Sequence, residues 1–218
     1  MKFDLHIHTQ YSMDSSSKPE RIMKIAKKRG MDGVAVTDHN NIRGWNHMID
    51  AAKKFGLMLV LGEEVRIRDN NGSYEILGLF LNDRIKARDF DEVVDQIKEQ
   101  GGIACLPHPF DPFKVKFKDR DSLAKKIDAV EVFNARCPLP IYNEKALVFA
   151  KKHKLGMTAG SDAHTEQEVG RAYVEADVES LEDLKQAILK GEIKATGKLV
   201  NPLMRVWSRL NQGVSVFR

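Results

Sequence analysis

Short apolar runs alternate along the chain with longer amphipathic segments, a pattern typical of repeated β–α units. The apolar runs predict strands at residues 3–7, 33–36, 57–65, 74–81, 103–106, 129–133, 156–159 and 171–174. The amphipathic segments predict helices at residues 18–29, 45–55, 90–100, 122–126, 141–153 and 181–189. This alternation favours an α/β fold with a parallel sheet and helices outside it, either open or closed into a barrel.

Two segments depart from the alternation. The Asn-Asn-Gly sequence at 70–72 predicts a tight turn, so the strands on either side of it are expected to form a hairpin. We predict one α/β domain at residues 1–200 and a helical tail at 201–218, which would pack on that domain or on a partner subunit in a homo-oligomer. The apolar face of the tail would contain Leu203, Val206, Trp207 and Leu210.

Composition excludes several classes of protein. The formal net charge is only +4, and the basic residues are scattered over predicted helices, which argues against extended nucleic-acid binding. Cys105 and Cys137 lack any CxxC spacing, so a disulfide scaffold or zinc ribbon is not expected. The first residues lack the apolar run of a signal peptide, and no stretch reaches the ~20 apolar residues that cross a bilayer. The sequence therefore predicts a cytoplasmic protein without a membrane partner.

Histidines and acids concentrate at the ends of the predicted strands. Each histidine alone could be a hydrogen-bonded core residue, but five of the seven lie at such ends: His6, His8, His39, His108 and His164. Acids stand at similar places: Asp14, Asp38, Glu64 and Asp162. The carboxyl ends of parallel strands meet on one rim, so these residues can converge. Imidazoles beside carboxylates suit Zn²⁺, Mn²⁺ or Fe²⁺, and a carboxylate such as Glu64 can bridge two ions ~3.5–4 Å apart.

Six motifs in order resemble the PHP (polymerase and histidinol phosphatase) superfamily, which is related to the amidohydrolases. They are DLHIHTQYSMDS, AVTDHNNIRG, VLGEEV, LPHP, VEVFNAR and GSDAH, and the match as a whole extends from residue 3 to about residue 175. The resemblance implies a distorted (β/α)7 TIM-like barrel with two or three divalent ions on its rim. It assigns one ion to His6, His8, Glu64 and Asp162. A second would share Glu64 and add His108, and a third would use Asp14, His39 and His164.

The sequence departs from the family pattern at one position. Glu75 stands where many relatives have a histidine ligand. A carboxylate could replace that ligand as an oxygen donor, or the second ion could be weakly bound or absent. Asp38 is expected to orient an imidazole, with proton acceptance during the reaction as the alternative.

The resemblance implies hydrolysis of a small phosphate ester, such as a nucleotide. As a hypothesis for the mechanism, a hydroxide formed at the metal cluster would attack the phosphorus, and His39 or another imidazole on the rim would protonate the leaving oxygen. Arg136 resembles the phosphate-binding arginine of the family, and Arg43 and Arg171 are further candidates; a surface salt bridge is the competing interpretation of Arg136. The loop at 110–120 could contact substrate or merely cover the barrel. Alternative functions are a nuclease or proofreading-type phosphodiesterase, a C–N hydrolase of the amidohydrolase type, or a non-catalytic metal-binding module.

Overall fold

The computed structural model describes residues 1–201, so the predicted tail helix lies outside the described residues. The strands are β1 (Lys2–Ile7), β2 (Gly33–Val36), β3 (Met58–Asp69), β4 (Gly72–Leu79), β5 (Ile103–Leu106), β6 (Lys116–Phe117), β7 (Ala129–Asn134), β8 (Gly156–Gly160), β9 (Ala172–Glu175) and β10 (Lys194–Gly197). The helices are α1 (Pro19–Lys28), α2 (Trp45–Phe55), α3 (Phe90–Glu99), α4 (Arg120–Leu123), α5 (Pro140–His153) and α6 (Leu181–Lys190).

The strands form a nearly closed barrel. Within the described residues they lie in the order β10-β9-β1-β2-β3-β4-β5-β7-β8, with β6 paired to β4. The barrel closes where β8 returns to β1: the Asp162 amide donates to the His6 carbonyl at 2.8 Å, and the His8 amide donates to the Ala163 carbonyl at 2.9 Å. This closure confirms the predicted distorted (β/α)7 barrel.

The distortion comes from the β3–β4 hairpin. The two strands pair antiparallel from Gly62↔Leu79 to Asp69↔Gly72, so the turn predicted from Asn-Asn-Gly is confirmed. Because β4 also runs antiparallel to β5, it is the barrel strand that breaks the parallel pattern. The hairpin returns the start of β4 to the rim that holds the carboxyl ends of the parallel strands.

Two groups of apolar side chains hold the barrel and its helices together. The larger group packs α1, α2 and α3 against the strands, with Ile22, Met48 and Val93 fully buried. The second group joins the strands to α6, and in it Leu5 and Leu184 are buried. Removing this apolar surface from water stabilises the folded state by about 25 cal/mol for each Å² buried. No helix among residues 1–201 is long and apolar enough to cross a membrane.

Candidate metal centre

The barrel brings the candidate ligands together at one end. His6 lies on β1 and Glu64 on β3, and His39 follows β2, where it forms an isolated bridge with Glu64. His108 follows β5, and Asp162 follows β8. The convergence predicted from the strand ends is therefore what the structure shows, because these strands run in the same direction.

Glu64 lies at the centre of the cluster. One oxygen, Oε1, lies 3.4 Å from His6 Nε2 and 3.2 Å from His108 Nε2. The other, Oε2, lies 3.3 Å from His8 Nε2 and 3.0 Å from His39 Nδ1. Each oxygen thus faces a different pair of imidazoles, which is the arrangement that a carboxylate bridging two ions requires.

The carboxylates of Asp14 and Asp162 also belong to the cluster. Asp162 Oδ1 lies 3.5 Å from His8 Nε2 and 3.4 Å from His164 Nδ1. Asp14 Oδ2 lies 3.2 Å from His39 Nε2 and 3.5 Å from His164 Nε2. Within residues 1–201 the ligand atoms fall into four overlapping groups: His8, Asp14, His39 and His164; His6, Glu64 and His108; His6, His8 and Asp162; and His39, Glu64 and Glu75.

Glu75 reaches this cluster from the start of β4. Its Oε1 lies 3.6 Å from His39 Nδ1, and its Oε2 lies 3.5 Å from His108 Nε2. The antiparallel hairpin is what returns β4 to the rim, with Glu75 opposite Arg66. The carboxylate therefore stands where the sequence places an oxygen donor for the second ion, and its role as a ligand stays a prediction.

Buried oxygens without hydrogen-bond donors test whether the cluster fits metal ions. In the part of the chain that the structure describes, Glu64 Oε2 and Asp162 Oδ1 are buried and accept no hydrogen bond. Imidazole nitrogens nevertheless lie within 3.0 Å of Glu64 Oε2 and 3.4 Å of Asp162 Oδ1. Because a buried carboxylate oxygen without a partner is costly, divalent cations between these atoms would stabilise the cluster. The histidine and carboxylate donors suit Zn²⁺, Mn²⁺ or Fe²⁺.

The cluster concentrates opposite charges in a buried place. Burial raises the pKa of Glu64, but His39 and His6 lower it well below its ordinary value. Burial lowers the pKa of His8, but the carboxylates of Asp162 and Glu64 raise it to about 9. In contrast, burial and the positive charge of His8 lower the pKa of His164 to about 3. The Glu64 carboxylate is thus ionised at neutral pH, as metal binding requires.

Glu131 on β7 supports the ligands from behind, and the sequence analysis did not identify it. Its Oε1 lies 3.0 Å from His6 Nδ1, and its Oε2 accepts hydrogen bonds from the His108 amide and from Asn134 Nδ2, both at 2.9 Å. A carboxylate at Nδ1 fixes the tautomer that leaves Nε2 free to bind a metal ion. The available signal was an acid inside an apolar strand, between Val130 and Val132.

The backbone at two candidate ligands is in the left-handed region. His108 has a φ of 31° and Asp162 a φ of 54°, values that non-glycine residues rarely adopt. The amide of His108 is held by Glu131, and that of Asp162 by the His6 carbonyl. At Gly160 a Cβ would lie 2.3 Å from the Cβ of His6, so only glycine lets β8 approach β1 here.

Asp38 lies beside the cluster but does not orient an imidazole. Its Oδ1 accepts a hydrogen bond from the Thr9 amide at 2.7 Å, and its Oδ2 accepts one from Thr9 Oγ1 at 2.6 Å. Burial raises the pKa of this carboxyl, although both hydrogen bonds from Thr9 lower it. These contacts hold the loop that follows β1 in place. Asp38 therefore positions this loop, whereas the sequence predicted that it would orient an imidazole.

A cleft of about 310 Å³ opens above the cluster. Residues of the cluster, the β3–β4 hairpin and the loops after β5 and β7 line it: Asp14, His39, Arg66, Arg68, Ser73, Tyr74, Glu75, Phe113, Lys114, Arg136 and His164. The hairpin contributes Arg66, whose Nη2 lies 3.2 Å from Asp14 Oδ2, and the loop contributes Lys114, whose ammonium contacts Asp162. The sequence analysis named the loop that holds Lys114 as a possible substrate contact, but it did not predict that either cation meets a candidate ligand, because the spacing of a loop lysine or a strand arginine does not indicate which groups it contacts.

The three candidate arginines lie in different places. Arg136 is buried and lines the cleft, and its Nη1 lies 3.1 Å from both carboxylate oxygens of Glu168. It therefore makes a buried ion pair, not a surface one. Arg43 is not among the residues that line the cleft, and its Nη2 donates to the Tyr11 carbonyl at 3.0 Å. Arg171 lines a separate pocket beside β9 and β10, because β9 lies outside the seven barrel strands.

Comparisons with known proteins agree with this architecture. The PHP domain family matches residues 4–209. An uncharacterized protein of Methanocaldococcus jannaschii is 43% identical over 158 residues, which cover 67% of this chain and 90% of that protein. A two-domain protein from Bacteroides vulgatus, which contains a predicted PHP-like metal-dependent phosphoesterase, superposes with a TM-score of 0.76 at 19% identity, over 97% of this chain and 69% of that one. A proposed metal-dependent phosphoesterase from Bifidobacterium adolescentis gives a TM-score of 0.68 at 19% identity, over 93% of this chain and 98% of that one. These two structures share the fold, and the chain belongs to the PHP domain family.

Proposed function

We propose that this protein is a metal-dependent phosphoesterase that hydrolyses a small phosphate ester, such as a nucleotide. The observation that carries the proposal is the position of the ligand cluster at the base of a cleft whose walls carry cations. The cleft volume of about 310 Å³ suits a small molecule. Two structural neighbours described as predicted metal-dependent phosphoesterases support the same class of reaction.

Two or three ions would be held by residues of the four overlapping ligand groups described above. Bound divalent ions supply Lewis acidity toward phosphoryl oxygens and an activated water at neutral pH. Both ring nitrogens of His39 face carboxylates, Asp14 at 3.2 Å and Glu64 at 3.0 Å. The geometry therefore favours His39 as a ligand over His39 as the acid that protonates the leaving oxygen.

The chain's own residues would bind and orient the phosphoryl group. The guanidinium of Arg136 is held by Glu168 and lines the cleft, so its orientation is fixed before substrate arrives. A planar guanidinium binds phosphate oxygens in pairs, which fixes the phosphorus relative to the cluster. At the mouth of the cleft Phe113 is 74% exposed, and its ring could stack on a planar group of the substrate.

The test is a substrate panel with the full chain reconstituted with Mn²⁺, Zn²⁺ or Fe²⁺. The panel contains nucleoside monophosphates, sugar phosphates, inositol phosphates, a dinucleotide diester and a cyclic amide. We expect metal-dependent release from a monoester, and loss of that release in Asp162→Asn. Preferential cleavage of the diester would replace the proposal with a phosphodiesterase, and hydrolysis of the amide alone would replace it with a C–N hydrolase. No turnover of any compound with any of the metals would refute catalysis of this class.

A further inference from the structure

Lys114 contacts the candidate metal centre directly. It lies in the loop after β5, where its amide donates to the Asp111 carbonyl at 3.2 Å, and its Nζ contacts Asp162 Oδ2. The same oxygen accepts a hydrogen bond from Asn134 Nδ2 at 3.1 Å. Asp162 Oδ2 therefore has two donors, whereas Oδ1 faces the imidazoles of the cluster.

The ammonium acts on more than one carboxylate. Glu64 and Glu75 add their attraction to that of Asp162, so Lys114 contributes one positive charge to three candidate ligands at once. Its side chain is 22% exposed, and Asp162 is fully buried, so water screens the pair only weakly. Arg66 also contacts candidate ligands, but it is 43% exposed and its interactions are screened more strongly.

We propose that Lys114 is a competing cation for the metal centre, which shifts from Asp162 to the phosphoryl group of the substrate when divalent ions bind. A divalent ion at Asp162 would lie close to the ammonium, and the two positive charges would repel each other. A lysine has a flexible four-carbon stem, and Lys114 already lines the cleft, so its ammonium can turn toward a bound anion. The second half of the proposal rests on the proposed function.

The experiment measures Mn²⁺ affinity by isothermal titration calorimetry on the full chain after chelation. We expect Lys114→Met to tighten Mn²⁺ binding by about 10- to 100-fold, the range for a hydrogen bond that involves a charged group. Lys114→Arg keeps the charge and should stay within about threefold of the wild type. The matched control is Lys116→Met, which removes an exposed lysine two residues further along the chain, on β6, and should leave both affinities unchanged. An unchanged or weakened Mn²⁺ affinity in Lys114→Met would mean that Lys114 only positions Asp162, and the competition would be refuted.

A second titration uses inorganic phosphate on the Mn²⁺-loaded protein. Here Lys114→Met should weaken binding by about tenfold or more, so that the two affinities change in opposite directions. A purely structural role would not tighten one and weaken the other. Circular dichroism checks folding, and Lys114→Gln, which keeps donors for Asp162, replaces the methionine variant if that one does not fold.

The two proposals fail in different ways. If metal affinity tightens but no phosphate ester is hydrolysed, the competition stands and the proposed function fails. If phosphate esters are hydrolysed but Lys114→Met does not tighten metal binding, the inference about Lys114 fails alone. If phosphate binding is unchanged in that variant, Lys114 does not bind the phosphoryl group.

Discussion

Replacing Glu131 with glutamine tests how the metal centre is supported. The side chain is fully buried on β7, and its carboxylate serves His6 Nδ1, the His108 amide and Asn134 Nδ2. Glutamine has nearly the same shape but offers one oxygen acceptor and an NH₂ group that only donates. The change therefore removes acceptor capacity without creating a cavity.

The size of the effect follows from which way the amide turns. If its NH₂ faces His6, the imidazole must accept at Nδ1, so its proton moves to Nε2, the nitrogen that faces Glu64. If the NH₂ faces the amide of His108 instead, two donors meet in a buried place, at a cost of about 1–3 kcal/mol. Either orientation should weaken metal binding by about 10- to 100-fold, the usual effect of losing a group that orients a histidine ligand.

The assay combines metal titration with urea unfolding of the same protein. Glu131→Gln should raise the metal dissociation constant by about 10- to 100-fold and lower the free energy of unfolding by about 1–3 kcal/mol. Glu144→Gln makes the same chemical change at an exposed position of α5 and serves as the control. A Glu131→Gln variant with unchanged metal affinity would refute the assignment of Glu131 as the residue that orients His6.

Three further predictions follow from the same contacts. Arg136→Met should lower the free energy of unfolding by about 3 kcal/mol, because buried Glu168 loses its ion-pair partner; a loss below about 1 kcal/mol in urea titration would contradict this. Burial lowers the pKa values of His6 and His8, but nearby carboxylates raise that of His6 well above its ordinary value and that of His8 to about 9. His8 is therefore protonated at pH 7.5 before an ion binds, and the pKa of His6 is shifted in the same direction, so binding should release at least one proton and strengthen as the pH rises toward 9. Calorimetry in buffers of different ionisation enthalpy measures that release, and a value of zero would be inconsistent with it. Phe113→Ala should leave the free energy of unfolding within about 0.5 kcal/mol and raise KM for a nucleotide about fivefold or more, whereas an equal KM would exclude stacking.

The fold was largely predictable because its signals are local. Apolar runs and amphipathic segments identified the barrel strands and the main helices, and the Asn-Asn-Gly turn identified the hairpin. Two strands were missed: β6 has only two residues, and β10 reads KATG, without a clear apolar alternation. Such short strands exist because β4 and β9 provide partners for them, which is a tertiary effect.

The candidate site also contains residues that the sequence could predict and residues that it could not. The histidines and acids at strand ends could be placed because parallel strands end on one rim, and the structure brings them together. The contacts of Glu131 and Lys114 could not be placed, since they depend on how β7 and the loop after β5 pack. Arg171 was a candidate for substrate binding, but it lines a separate pocket. Its position beside a predicted strand does not reveal that β9 lies outside the barrel.

The most direct measurement is the metal content of the purified full chain after equilibration with Mn²⁺, Zn²⁺ or Fe²⁺ and removal of unbound ions. The overlapping ligand groups around Glu64 predict about two to three ions per chain for the wild type, and loss of most of them in Glu64→Gln. Less than one ion per wild-type chain with every metal, or the same content in Glu64→Gln, would contradict the metal centre.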